Sequence, residues 1–238
     1  ALEDAALTAE EPIPAFVSLP DPRTLSVEEA SRLKGDFLAR MAHRAQANVD
    51  LEASRQFFIG HAGLALALAG CPDDETTPTY HHPHVLEALV RERRLLSDEA
   101  HAGIVPGEAA AFLVVTPGGR GSSRPSDVRI RSVLSGKELP KTWEEPRVAE
   151  LLTDLLFSLA ERDQQRQLRW IVSDVNGERQ RSKERDYLEF RIRELLTDET
   201  CWDKPIRELG DVGAATGAVL AAYVAMGFRH GFAPADYA

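Results

Sequence analysis

The residues best suited to chemistry fall into a few short clusters. His81, His82 and His84 surround Pro83, with Cys71, Asp73 and Asp74 shortly upstream, and these are side-chain types that bind zinc. A metal site needs its ligands to converge, as C-x-x-C or H-x-x-x-H spacing arranges. Pro83 favours an extended segment in which adjacent histidines point to opposite sides, so the cluster reads as a solvated loop entering a helix. Gly210, Gly213 and Gly217 lead into an apolar run, as a nucleotide-binding turn does. Their spacing is not G-x-G-x-x-G, no Lys-Ser or Lys-Thr follows, and Asp211 stands where a phosphate would sit. Pro117-Gly118-Gly119-Arg120 also lacks the lysine of a phosphate loop. No G-x-S-x-G, H-E-x-x-H or paired-cysteine motif occurs. No cofactor is expected, and no metal beyond that weak histidine set.

The elements that would position these residues alternate between strand and helix. Ile13–Leu19 is expected as a strand, Ser26 to Ala47 as a helix, and Gly60–Ala69 as an apolar helix followed by the polar loop Cys71–Tyr80. His84–Arg94 has helical spacing, and Glu108–Thr116 is a continuous apolar run expected as a doubly covered strand. Beyond Pro117–Asp127, rich in Gly, Ser and Pro, come an expected strand at Val128–Leu134, a helix at Pro146–Glu161 and a strand at Leu168–Val175. Helices at Glu184–Leu196 and Gly213–His230 complete the series. This alternation implies an α/β protein in two halves, residues 1–118 and 126–238, joined by a connector at 117–127.

The 238 residues carry 38 acidic against 28 basic side chains, a net charge of -10 that argues against a nucleic-acid partner. Two cysteines make no disulfide framework and point to the cytoplasm. Phe57–Gly70 and Val212–Phe228 fall short of the roughly 20 apolar residues a membrane span needs, and both read as helices buried on all sides. The chain opens Ala-Leu-Glu-Asp without a methionine, so its start is not expected to be that of the gene product.

Four segments taken in order are more specific. Gly60-His61-Ala62-Gly63 heads an apolar helix, and Pro106-Gly107-Glu108-Ala109-Ala110-Ala111-Phe112-Leu113 enters a strand. Asp174-Val175-Asn176-Gly177-Glu178 follows a strand, and Leu209-Gly210-Asp211-Val212-Gly213-Ala214-Ala215-Thr216-Gly217-Ala218 opens the last helix. In this order they resemble the thiolase superfamily, and within it the β-ketoacyl synthases. The closing Arg229-His230-Gly231 fits as well, so the resemblance covers most of the chain from Ile13 onward. It implies a layered α/β/α/β/α sandwich of two pseudo-repeated halves. Set against that family pattern the fold is expected to be incomplete in this chain, because the opening elements of the first half and the closing hairpin of the second are not recognised in it.

The resemblance also implies that the family's chemistry has been lost. It places Gly60 where those enzymes have an acyl-accepting cysteine, and glycine has no nucleophile. A shift of one residue would place His61 there, which cannot form the thioester either. Cys71 lies about three helical turns away. Asn176 and Asp211 match the two catalytic histidines. An amide can still donate to an oxyanion, whereas a carboxylate would repel one and is better suited to capping a helix.

Two functions follow as expectations. One is a non-catalytic accessory, scaffold or partner subunit, forming a homodimer or pairing with a ketosynthase-like or adaptor protein. In a bacterial secretion-effector cluster it would act as an adaptor or chaperone. The other is an acyltransferase or decarboxylase acting on acyl thioesters or an acyl carrier protein, with rewired, non-covalent chemistry through His61, Asn176 or Asp211.

Overall fold

The computed structural model describes residues 13–18, 27, 28, 31, 37–45, 48–57, 83–98, 100–109, 111, 113, 128–136, 138, 147–162 and 167–238. The chain is mixed α/β, with two small parallel sheets. In the first, β1 (Ile13–Ser18) pairs with β2 (Val49–Phe57), and helix α1 (Phe37–Ala45) lies between them in sequence. In the second, β3 (Leu168–Val172) pairs with β4 (Leu196–Asp203) across helix α4 (Arg179–Arg191). Each is a β-α-β unit, because parallel neighbours need a long crossover. Further helices fully within the described residues are α2 (Pro83–Arg91), α3 (Glu150–Arg162), the short α5 (Pro205–Leu209) and α6 (Thr216–His230).

Both ladders are interrupted once, and a hydroxyl repairs each break. The β1–β2 register shifts between Pro14 and Phe16, where proline offers no N–H. There Ala15 N donates to Ser54 Oγ at 2.8 Å, and Ser54 in turn donates to the carbonyl of Asp50. The β3–β4 register shifts between Leu168 and Trp170, and Thr200 Oγ1 donates to the carbonyl of Leu168 at 2.6 Å.

β3 is covered on both sides, as its apolar run implies. Ile171 joins the cluster of Ala149, Ala160, Leu188, Ile192 and Leu195 supplied by α3, α4 and the turn after α4. The adjacent Trp170, only 2% exposed, packs against α6, with ring centroids 5.6 Å from Phe228 and 6.1 Å from Tyr223. Its indole N–H donates to Asp203 at 2.8 Å, which also accepts from the Tyr223 hydroxyl at 3.1 Å, so the polar edges of both rings are satisfied.

Several sequence expectations change. β2 is absent from them, although Val49, Leu51, Ala53 and Phe57 alternate with polar residues. β4 reads Leu-Thr-Asp-Glu-Thr-Cys-Trp-Asp, too acidic to announce a strand, and exists because β3 supplies its hydrogen bonds. Val128–Leu134 alternates correctly yet is not a strand: it joins no ladder among the described residues, and Ile130 is 47% exposed. The described residues of Glu108–Thr116 (108, 109, 111 and 113) are not strand either, and an isolated bridge between Pro106 and Asp211 lies just before them. The charged helix begins at Arg179, earlier than Glu184, and ends at Arg191 before a 3-10 turn at Arg193–Leu195.

Pro83 occupies the first position of α2, where its missing N–H costs nothing, so His84 is helical and not part of an extended segment. The connector at 117–127 and the expected helix at 60–69 lie outside the described residues. α6 is apolar along its length, but only Thr216 and Gly227 are buried within it and Met226 is 52% exposed. It is therefore not covered on all sides. No helix among the described residues is long and apolar enough to cross a membrane.

Gly227 sets the closeness of α6 to β3, since a Cβ there would lie 2.6 Å from Cη2 of Trp170. Gly→Ala within a helix ordinarily stabilises by up to about 1 kcal/mol. Here Gly227→Ala is expected to destabilise by about 1–3 kcal/mol through overpacking, measured by urea unfolding.

Candidate functional site

Of the residues matched to the family's catalytic positions, Asn176 and Asp211 are described, and they meet. Asn176 follows β3 and Asp211 follows α5, yet Asn176 Nδ2 donates to Asp211 Oδ2 at 2.6 Å in a fully buried contact. Asn176 is 3% exposed and Asp211 not at all. The other carboxylate oxygen, Oδ1, accepts from Gly213 N at 3.0 Å. Asn176 Oδ1 accepts from Glu178 N at 3.1 Å, closing a tight turn into α4. Each amide and carboxylate oxygen thus has a structural partner.

A third segment, distant in sequence, completes the site. Asp211 N donates to the Val105 carbonyl at 2.7 Å, and Gly107 N donates back to the Asp211 carbonyl at 2.8 Å. Two glycines permit this approach. Gly177 has φ +95°, and a Cβ on it would lie 2.7 Å from the Gly103 carbonyl oxygen. Gly210 has φ +85°, and its Cβ would lie 3.0 Å from Gly107 Cα. Positive φ and backbone contact together exclude any other residue at both positions. The motif around Pro106 and the turns at Asn176 and Asp211 therefore share one place.

Glu178 is a site residue that the sequence expectations omit. Its side chain is 4% exposed, and Oε1 accepts from Arg94 Nε at 2.7 Å across 84 residues. Arg181, one turn into α4, approaches Oε2 at 3.8 Å and bonds Asp174 at 2.7 Å. A buried carboxylate is tolerable only when paired, and two guanidiniums do this while the N-terminal end of α4 adds a favourable dipole. An acid at a helix start was visible in the sequence once α4 is begun at Arg179, but its arginine partner was not.

The remaining predicted positions do not join this site. Gly60, His61, His81 and His82 lie outside the described residues, and His84 is the second residue of α2. Among the described residues no group of three or more His, Cys, Asp and Glu could hold a metal ion. Cys201 is a free thiol on β4, beside Asp203 at 3.8 Å. Burial first, and then the Asp203 charge, push its pKa above the usual thiol range, the opposite of what a nucleophile needs.

Comparison of the chain with protein-family models, curated proteins and solved structures found no match.

Two outcomes are expected from this geometry. Asp211→Ala leaves Asn176 Nδ2 and Gly213 N buried without their acceptor and should destabilise by about 2–4 kcal/mol. In a double-mutant cycle with Asn176→Ala the combined loss should fall short of the sum, because the two share one bond. In a Cys71→Ser background, alkylation of Cys201 near pH 8 should be slower than that of an unfolded control, and Asp203→Asn should accelerate it. Timed mass spectrometry reads both rates.

Proposed function

We propose that this chain is a catalytically degenerate thiolase-fold protein of the β-ketoacyl synthase type, acting as an accessory, scaffold or partner subunit. What carries this reading is the Asn176–Asp211 hydrogen bond. The two positions matched to the family's histidines lie side by side, as positions of one site should, yet both side chains are spent on holding the backbone. The approach of the Pro106-Gly107 segment to Asp211 also fits the order of motifs on which the resemblance rests.

The partner belongs to the proposal: a second copy, a ketosynthase-like protein, or an adaptor of a bacterial secretion-effector cluster, in the cytoplasm. The incompletely covered α6 favours a partnered role, since apolar helices are stable when an opposing surface removes them from water. The non-covalent acyltransferase or decarboxylase is the weaker reading. Asn176 directs its amide at a carboxylate instead of an open oxyanion position, and Asp211 would place negative charge beside a developing enolate.

Incubation with malonyl and acyl thioesters, read by intact mass and by release of free thiol, should give neither acylated protein nor turnover above buffer. Turnover that disappears in Asn176→Ala would overturn the scaffold reading and install the enzymatic one.

A further inference from the structure

A cleft of about 460 Å³ opens where α2 ends, between the turn 92–94, the loop at 100–103 and the start of α4. It is lined by Arg93, Arg94, His101 and Arg179 together with Glu92 and Glu178. The charges do not cancel. Arg94 binds Glu178 at 2.7 Å and Glu92 at 3.4 Å, and Glu178 is shared with Arg181 at 3.8 Å, so both cleft carboxylates are directed onto other arginines. Arg93 and Arg179 have no ion-pair partner among the described residues. In a chain of net charge -10, a cleft whose lining carries three arginines against two glutamates is locally net positive.

Arg93 adds an independent observation. The end of α2 is closed by Arg94 N donating to the Leu89 carbonyl at 2.8 Å and Arg93 N to the Val90 carbonyl at 3.0 Å. This is the Schellman arrangement, in which the left-handed residue is normally glycine. Here that residue is Arg93, at φ +54°. The chain accepts a strained arginine where glycine would hold the same turn without strain, and that residue lines the cleft.

We propose that this cleft binds the phosphate group of a small phosphomonoester. Arg93 and Arg179 are the two cations that meet the dianion, with His101 as a further polar contact. A cleft of this size takes a small molecule. Two guanidiniums with no ion-pair partner among the described residues match a dianion better than a carboxylate, which would neutralise one of them. This assignment goes beyond the scaffold reading and does not depend on it.

The test is calorimetric titration of the full chain with inorganic phosphate, and with acetate as the carboxylate arm, at low ionic strength. Phosphate should bind with a dissociation constant in the millimolar range, and acetate at least about tenfold more weakly. Arg93→Gly should weaken phosphate about tenfold or more while leaving the melting temperature unchanged or raised, because glycine relieves the turn. Arg179→Ala, at an exposed position, should weaken it similarly and keeps the proposal testable by itself. No binding at tens of millimolar, equal binding of phosphate and acetate, or phosphate affinity unchanged in both variants would each overturn the proposal.

Discussion

Asp211 has no exposed surface, and its carboxylate accepts from Asn176 and from Gly213 while its backbone exchanges bonds with Val105 and Gly107. An ionisable side chain in such a place is stable only if its acceptors are filled when water leaves. That requirement joins the turn after β3, the approach to α6 and the segment at 103–107. None of the three can shift without exposing a buried polar group. The glycines at 177 and 210 make the same demand sterically, since any side chain at either would force the strands of backbone apart.

Around this junction the second β-α-β unit supplies the rigid part. Trp170 and Ile171, neighbours on β3, anchor α6 on one side and the α3–α4 cluster on the other. The Asn176 turn follows directly from that strand and inherits its position. Asp203, at the end of β4, satisfies Trp170 and Tyr223 together, so the aromatic layer is fixed by direction as well as by contact. Burial first, and then the same carboxylate, raise the Cys201 pKa, the opposite of what a nucleophilic thiol needs.

Charge is distributed with the same logic. At the end of α2 two carboxylates are drawn onto Arg94 and Arg181, and Arg93 and Arg179 have no ion-pair partner among the described residues. Glu178 belongs to both regions. Its backbone N–H closes the Asn176 turn and its carboxylate holds Arg94 at the cleft, so the cleft and the buried pair are connected through one residue.

Much of the secondary structure was legible in local pattern: β1, α2, α3, β3 and α6 are where the apolar spacing of Ile13–Leu19, His84–Arg94, Pro146–Glu161, Leu168–Val175 and Gly213–His230 puts them. What failed was strand assignment that depends on a partner. Val128–Leu134 alternates and is not a strand, while the acidic Leu196–Asp203 is one, because a strand is completed by hydrogen bonds from another segment. The sequence by itself determined the residue types at the junction, including the glycines and the pair Asn176 and Asp211. Only the tertiary structure decided that these two bond each other, that Glu178 is held by an arginine 84 residues away, and that Arg93 lines a cleft with no ion-pair partner among the described residues. Local propensity acts over a few residues, whereas burying a charge is settled by whichever distant groups the fold brings within hydrogen-bond reach.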